Sequence, residues 1–106
     1  MYLIGYNEQM SYIVQQTDSF EKWHELIKDL KAKIAIARRI ERAEHGNLGD
    51  VKTLGNGISE MRVDVGAGYR IYFTRRDKVI VILLAGGIKS TQQTDIKKAI
   101  ELAKGF

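Results

Sequence analysis

The chain contains no cysteine and no proline. The first absence removes disulfides, thiolate metal sites and a cysteine nucleophile together, and makes a reducing cytoplasm the expected compartment. The second leaves the turns to the ten glycines and to Asn and Asp. Histidine is scarce, with two in the chain. Without cysteine that is too few for an expected metal site, and no cofactor is expected. No apolar run is long enough for a membrane helix, so no membrane partner is expected. The opening residues Met1-Tyr2-Leu3-Ile4-Gly5-Tyr6 lack the basic start and apolar stretch of a secretory signal.

What is present fits one domain over residues 1–106, 44% of it apolar. A core of that size is real but small, which argues against a large internal cavity. The net charge is +4 and unevenly placed. Residues 1–50 hold seven basic and eight acidic side chains, whereas residues 51–106 hold ten and five, a net of +5. A positive second half suits a polyanion such as nucleic acid or an acidic protein.

Periodicity changes along the chain. Ser11 to Gln16 reads as a short strand. Asp18 with Glu21 forms a capping-box pattern, and Phe20, Trp23, Leu26, Ile27 and Leu30 follow at helical spacing. A second helical stretch runs from Lys31 to His45, with Ile34, Ala37 and Ile40 as its inner face, and ends at Gly46-Asn47. One long helix and a helical hairpin both fit, and compactness favours the hairpin. After the turn Gly55-Asn56-Gly57, Ile58 to Val65 alternates, with Met61, Val63 and Val65 on one face and Glu60, Arg62 and Asp64 on the other. Gly66-Ala67-Gly68 turns the chain into Tyr69 to Arg75, where Tyr69, Ile71 and Phe73 point inward and Arg70, Tyr72 and Thr74 outward. Arg76-Asp77 is a tight turn, and Val79 to Ala85 is apolar throughout, as a central strand buried on both faces should be. Gly86-Gly87 breaks that strand. Ser90 and Gln93 form a second capping pattern before a helix with Ile96, Ala99, Ile100 and Ala103 inward. The order is β-α-α, then three or four strands, then α: an α+β domain with an antiparallel meander.

A three-residue loop at Gly66-Ala67-Gly68 would set Val65 against Tyr69, Asp64 against Arg70 and Arg62 against Tyr72. Arg62, Arg70 and Tyr72 would then share one patch, with opposed Cβ atoms roughly 5 Å apart. Lys52 enters the neighbouring region, Lys89 sits where the apolar strand runs out, and Arg75, Arg76 and Lys78 cluster at the hairpin tip. Such a set suits metal-free cleavage of RNA by its own 2′-OH. Arginine forks neutralise phosphoryl oxygens, and a tyrosine or lysine crowded by cations has a lowered pKa. The competing reading is a charge ladder on a solvated face, with Tyr72 merely covering apolar surface.

The run from Phe20-Glu21-Lys22-Trp23 to the end resembles the RelE/ParE superfamily of toxins, and within it the HigB-like addiction-module killer proteins. The resemblance is carried by Ala37-Arg38-Arg39-Ile40-Glu41-Arg42, Gly46-Asn47-Leu48-Gly49-Asp50-Val51-Lys52 and Ile58-Ser59-Glu60-Met61-Arg62. It continues through Gly68-Tyr69-Arg70-Ile71-Tyr72-Phe73-Thr74 and Leu83-Leu84-Ala85-Gly86-Gly87-Ile88-Lys89-Ser90-Thr91-Gln92. Residues 1–9 fall outside it and read as an N-terminal extension. The resemblance implies a microbial-RNase-like β-α-α-β-β-β-α fold and an antitoxin partner, expected to be a HigA-like helix-turn-helix protein that carries any operator-DNA binding. It also implies ribosome-dependent mRNA cleavage. By position, Lys52, Arg62 and Arg70 match the family's basic sheet residues, with Tyr72 and Lys89 beside them. The expected assignment is catalysis by Arg62, Arg70, Tyr72 and Lys89, and RNA binding by Lys52, Arg75, Arg76 and Lys78. The pattern departs at the tail. Many active members carry a Tyr or His near the C-terminus, and none follows Lys89 here. The general base is therefore unassigned, and two alternatives stay open: a ParE-like toxin that inhibits DNA gyrase, and a non-toxic module that only binds the antitoxin.

Overall fold

A computed structural model describes residues 11–106; the N-terminal extension expected over residues 1–9 lies outside the described residues. The elements are β1 (Ile13–Gln16), α1 (Asp18–Glu25), α2 (Leu30–Glu44), β2 (Val51–Gly55), β3 (Ile58–Val63), β4 (Tyr69–Arg76), β5 (Ile80–Ile88), a 3-10 turn (Lys89–Thr91) and α3 (Gln92–Ala103). The strands form one sheet in the order β1-β5-β4-β3-β2, with β1 parallel to β5 and every other neighbour antiparallel. The α+β expectation holds. Four strands follow the helices, and the helices form two separate elements. No helix among the described residues is long and apolar enough to cross a membrane.

The sheet is covered on both faces. One face packs Met61, Val63, Ile71, Phe73, Val81 and Leu83 against Phe20, Ile36 and Ile40 of the first two helices. The other packs Ile58, Tyr72, Ile82, Leu84 and Ala85 against Ala99 of α3. Strand β5 supplies both cores, as its unbroken apolar run predicts.

Helix starts differ from the sequence expectation by one residue, for a clear reason. Thr17, not Asp18, caps α1: its hydroxyl accepts from the Phe20 N–H at 3.0 Å and donates to the Leu84 carbonyl at 2.7 Å. One side chain thus caps the helix and ties it to the sheet, while Asp18 stands in the first turn, where a negative charge suits the helix dipole. Asp29 caps α2 by accepting from Ala32 N–H at 3.3 Å. Because that cap restarts the helix, Leu26 and Leu30 do not continue one stripe and are exposed. The inner face of α2 is Ala32, Ile36, Ile40 and Ala43, whereas Ile34 and Ala37 point to solvent. The two small alanines let that face approach the sheet closely.

Strand β3 ends at Val63, two residues before the expected Val65. Val65 N–H bonds to the Val63 carbonyl at 2.9 Å and Gly68 N–H to the Val65 carbonyl at 3.0 Å, which draws Asp64 and Val65 into the loop. The register is therefore Val63↔Tyr69, Arg62↔Arg70 and Glu60↔Tyr72, replacing the expected Asp64–Arg70 and Arg62–Tyr72 pairs. A shift of two residues conserves the faces, so the inside–outside alternation survives it. Strand β5 likewise runs through Gly86-Gly87 instead of breaking there, and starts at Ile80, leaving Val79 exposed. The glycines are sites of close approach: a Cβ at Gly86 would enter the Trp23 ring, and one at Gly87 would enter the Asp95 carboxylate. The last helix starts from Thr91, not from a Ser90–Gln93 box. The Thr91 hydroxyl accepts from Ile88 N–H at 3.3 Å and lies against Asp95.

Candidate active site

Alternation puts Arg70, Tyr72 and Thr74 of β4 on the α3 face of the sheet, opposite to Ile71 and Phe73. The strand registers then assemble two rows on that face. In the first, Asp50 stands beside Arg62, whose N–H donates to the Asp50 carbonyl at 3.0 Å, and Arg62 opposes Arg70, which opposes Gly87. In the second, Lys52 opposes Glu60, Glu60 opposes Tyr72 and Tyr72 opposes Ala85.

Two arginines set directly opposite each other repel unless countered. Each has a carboxylate. Arg62 Nη2 lies 2.9 Å from Asp50 Oδ1 in a pair open to solvent, the side chains being 38% and 58% exposed. Arg70 Nε lies 3.7 Å from Glu60 Oε2 in a pair that is nearly buried, at 12% and 3%. The open pair holds the Asp50 carboxyl below the usual carboxylate range, chiefly through the Arg62 hydrogen bond, and raises Arg62. From α2, Arg39 braces the same corner by donating to the carbonyls of Arg62, Leu48 (2.8 Å) and Asp50 (3.4 Å). Burial lowers the Arg39 pKa, and nearby Asp50 opposes that shift.

The predicted residues divide into two groups. Lys52, Arg62 and Arg70 share one face on neighbouring strands, and Lys89 follows the end of β5. Lys52 and Lys89 are exposed, and a Cβ added at Gly68 would meet the Lys89 Cβ at 3.4 Å and the Arg70 Nη1 at 3.6 Å, so the stem of Lys89 and the Arg70 guanidinium flank that glycine. Tyr72 shares their face but lies under α3, fully buried, against the expectation that it points outward to solvent. Among the described residues its hydroxyl has no partner at full hydrogen-bond geometry, Gln92 being the nearby polar side chain. Burial pushes its pKa up to about 12, reinforced by Glu60 and Asp95 and opposed by Arg70 and Gln92. Tyr72 is thus placed neither to stack on a base nor to act as one near neutral pH.

Arg75 and Arg76 lie five and six positions along β4 from Arg70, about 17–20 Å at strand rise, and Lys78 lies beyond them. Arg75 donates to the Tyr12 hydroxyl at 2.7 Å, with its guanidinium 5.1 Å from that ring. Arg76 holds the C-terminal end of the chain through the Phe106 carbonyl, at 3.0 and 3.2 Å, and the Ala103 carbonyl at 3.5 Å. Lys78 sits in the turn at φ 80°. The tip is therefore separate from the arginine pair, and two of its three cations brace the fold.

Sequence reasoning missed Asp50, Arg39, Gln92 and Asp95 and left Glu60 as an anonymous polar-face residue. Strand register exposes Asp50 and Glu60, and the docking of α2 and α3 brings in Arg39, Gln92 and Asp95. Among the described residues no three His, Asp or Glu side chains converge as metal ligands would. What the face offers is paired guanidinium forks flanked by ammonium groups, a surface that fits a phosphodiester.

Residues 18–105 match the family model "Phage derived protein Gp49-like (DUF891)". An uncharacterised protein of Haemophilus influenzae is 46% identical over 95 residues, covering 90% of this chain and 96% of that protein. Among solved structures, a doubly substituted variant of the E. coli toxin RelE in the free state superposes with a TM-score of 0.67 at 14% identity, over 86% of this chain and 96% of that one. At that identity the likeness speaks for the fold. The chain belongs to the phage-derived Gp49-like family, and its fold is that of the RelE-like toxins.

Proposed function

We propose that this protein is the toxin of a toxin–antitoxin pair, of the HigB-like kind, and that it cleaves mRNA on the ribosome without a metal. The observation that carries this reading is the Arg62–Arg70 pair, opposed across β3 and β4 with Arg62 open to solvent, on the face that also carries Lys52. Cleavage by the 2′-OH builds charge on the phosphoryl oxygens, and two fixed guanidinium groups are suited to absorb it. Lys52 and Lys89 then hold neighbouring phosphates. The RelE-like fold and Gp49-like membership support a toxin role and an antitoxin partner. A HigA-like helix-turn-helix antitoxin would mask the cationic face and contribute the operator contacts.

The test is brief induction in bacteria with mapping of transcript 5′ ends. New ends confined to translated regions, lost with Arg62→Ala, are the expected result; cleavage and growth arrest unchanged in that variant would refute the site. One observation favours a second reading, a gyrase-directed toxin of the ParE kind: Tyr72 is buried and offers no hydroxyl to a substrate. That reading predicts arrest with intact transcripts and an induced DNA-damage response.

A further inference from the structure

The cationic row leaves one chemical role open, removal of the proton from the attacking 2′-OH, and its outer end carries a group fitted to it. Asp50 stands at the edge of the sheet where β2 begins, its side chain 58% exposed and its carboxylate 2.9 Å from the Arg62 guanidinium. Its backbone is held in place. Its carbonyl accepts from Arg62 N–H at 3.0 Å and from Arg39 Nη2 at 3.4 Å, and the preceding turn is tied by Gly49 N–H donating to Asn47 Oδ1 at 2.9 Å. Gly49 has φ +71°, and a Cβ there would meet the Arg39 guanidinium, so the turn admits no larger residue without disturbing that brace. These bonds hold the Asp50 backbone at one point of the sheet edge, and the contact to Arg62 Nη2 orients its carboxylate.

We propose that Asp50 is the general base of the cleavage. This inference rests on the nuclease reading above. A phosphate that takes the Arg62 donors displaces the Asp50 carboxylate from its ion pair and leaves it beside the ribose of the same nucleotide. One Asp50 oxygen accepts the 2′-OH proton, and the 2′ oxygen forms a bond to phosphorus. The bond from phosphorus to the 5′ oxygen breaks, and that oxygen takes a proton from water. The products are a 2′,3′-cyclic phosphate and a free 5′-OH, and the proton on Asp50 returns to solvent. The charged groups facing Asp50 are Arg62 from β3, Arg70 from β4 and Arg39 from α2, all cationic, and they keep it ionised in the free protein. Loss of the Arg62 partner to phosphate makes the carboxylate a stronger base at the moment it is needed.

The experiment is single-turnover cleavage of a defined mRNA on programmed ribosomes at saturating toxin, using wild type, Asp50→Asn, Asp50→Glu and Asp50→Ala, each checked for an unchanged melting curve. The expected result is a loss on the order of a hundredfold or more in the cleavage rate for Asp50→Asn and Asp50→Ala. Ribosome binding should be unchanged, Asp50→Glu should keep measurable activity, and added formate should partly restore Asp50→Ala but not Asp50→Asn. If Asp50→Asn cleaves within about threefold of wild type, or if its defect lies only in binding, the assignment is wrong while the nuclease reading stands. If wild type itself leaves the mRNA whole, the nuclease reading fails and the inference fails with it.

Discussion

Arg62 and Arg70 face one another across the sheet but are held by different partners, so their substitutions should separate stability from activity. Arg62 is paired in the open with Asp50, and Arg62→Ala should leave the melting temperature nearly unchanged while removing activity. Arg70 is the counter-charge of the buried Glu60. Arg70→Ala leaves that carboxylate uncompensated and should cost about 3 kcal/mol, the low end for a broken buried pair because the 3.7 Å contact is long. Thermal melting checks both, and Arg70→Lys is the better probe of chemistry because it keeps the charge. Tyr72 makes a separate prediction. Its pKa lies near 12, above the ordinary value of 10.0, so the folded state holds that proton more tightly than the unfolded chain. Stability from this source is complete below about pH 10 and falls as pH rises towards 12. Tyr72→Phe should flatten that alkaline decline, as read by melting between those pH values. Arg62 and Arg70 were legible from strand alternation, and Lys52 and Lys89 from the family resemblance. The burial of Tyr72 was not, because alternation assigns a face and cannot say that α3 lies over it.

At the scale of elements, strand and helix order was legible because period changes and turn residues mark it. Register and helix phase were not. The Gly66-Ala67-Gly68 signal gave the turn, but the hydrogen bonds that absorb Asp64 and Val65 depend on the loop's three-dimensional path. Helix α2 has apolar residues on two sides, and only docking on the sheet selects Ile36 and Ile40 over Ile34 and Ala37. Gly86 shows the same limit: a glycine pair that reads as a strand end is the groove into which Trp23 fits. Gly86→Ala should therefore push α1 off β5 and destabilise the fold by roughly 1–3 kcal/mol, measured by denaturant unfolding. Loss of the Arg76 clamp on Phe106 and Ala103 should act more locally. Arg76→Ala should speed amide exchange in the last turn of α3 and spare the β-sheet amides.

At the scale of the molecule, the net of +5 over residues 51–106 is spread over the Arg62–Arg70 row, the hairpin tip and α3. Affinity for single-stranded RNA should fall steeply with salt, and Arg62→Ala should reduce the slope of log affinity against log salt by about 1. The proposed activity is cleavage of mRNA only while it is being translated. The most direct measurement uses a reconstituted translation system with one reporter transcript in two forms, intact and lacking its start codon. The account predicts cleavage of the translated form alone, abolished by Arg62→Ala. A translated transcript that stays whole, or equal cleavage of both forms, would contradict it.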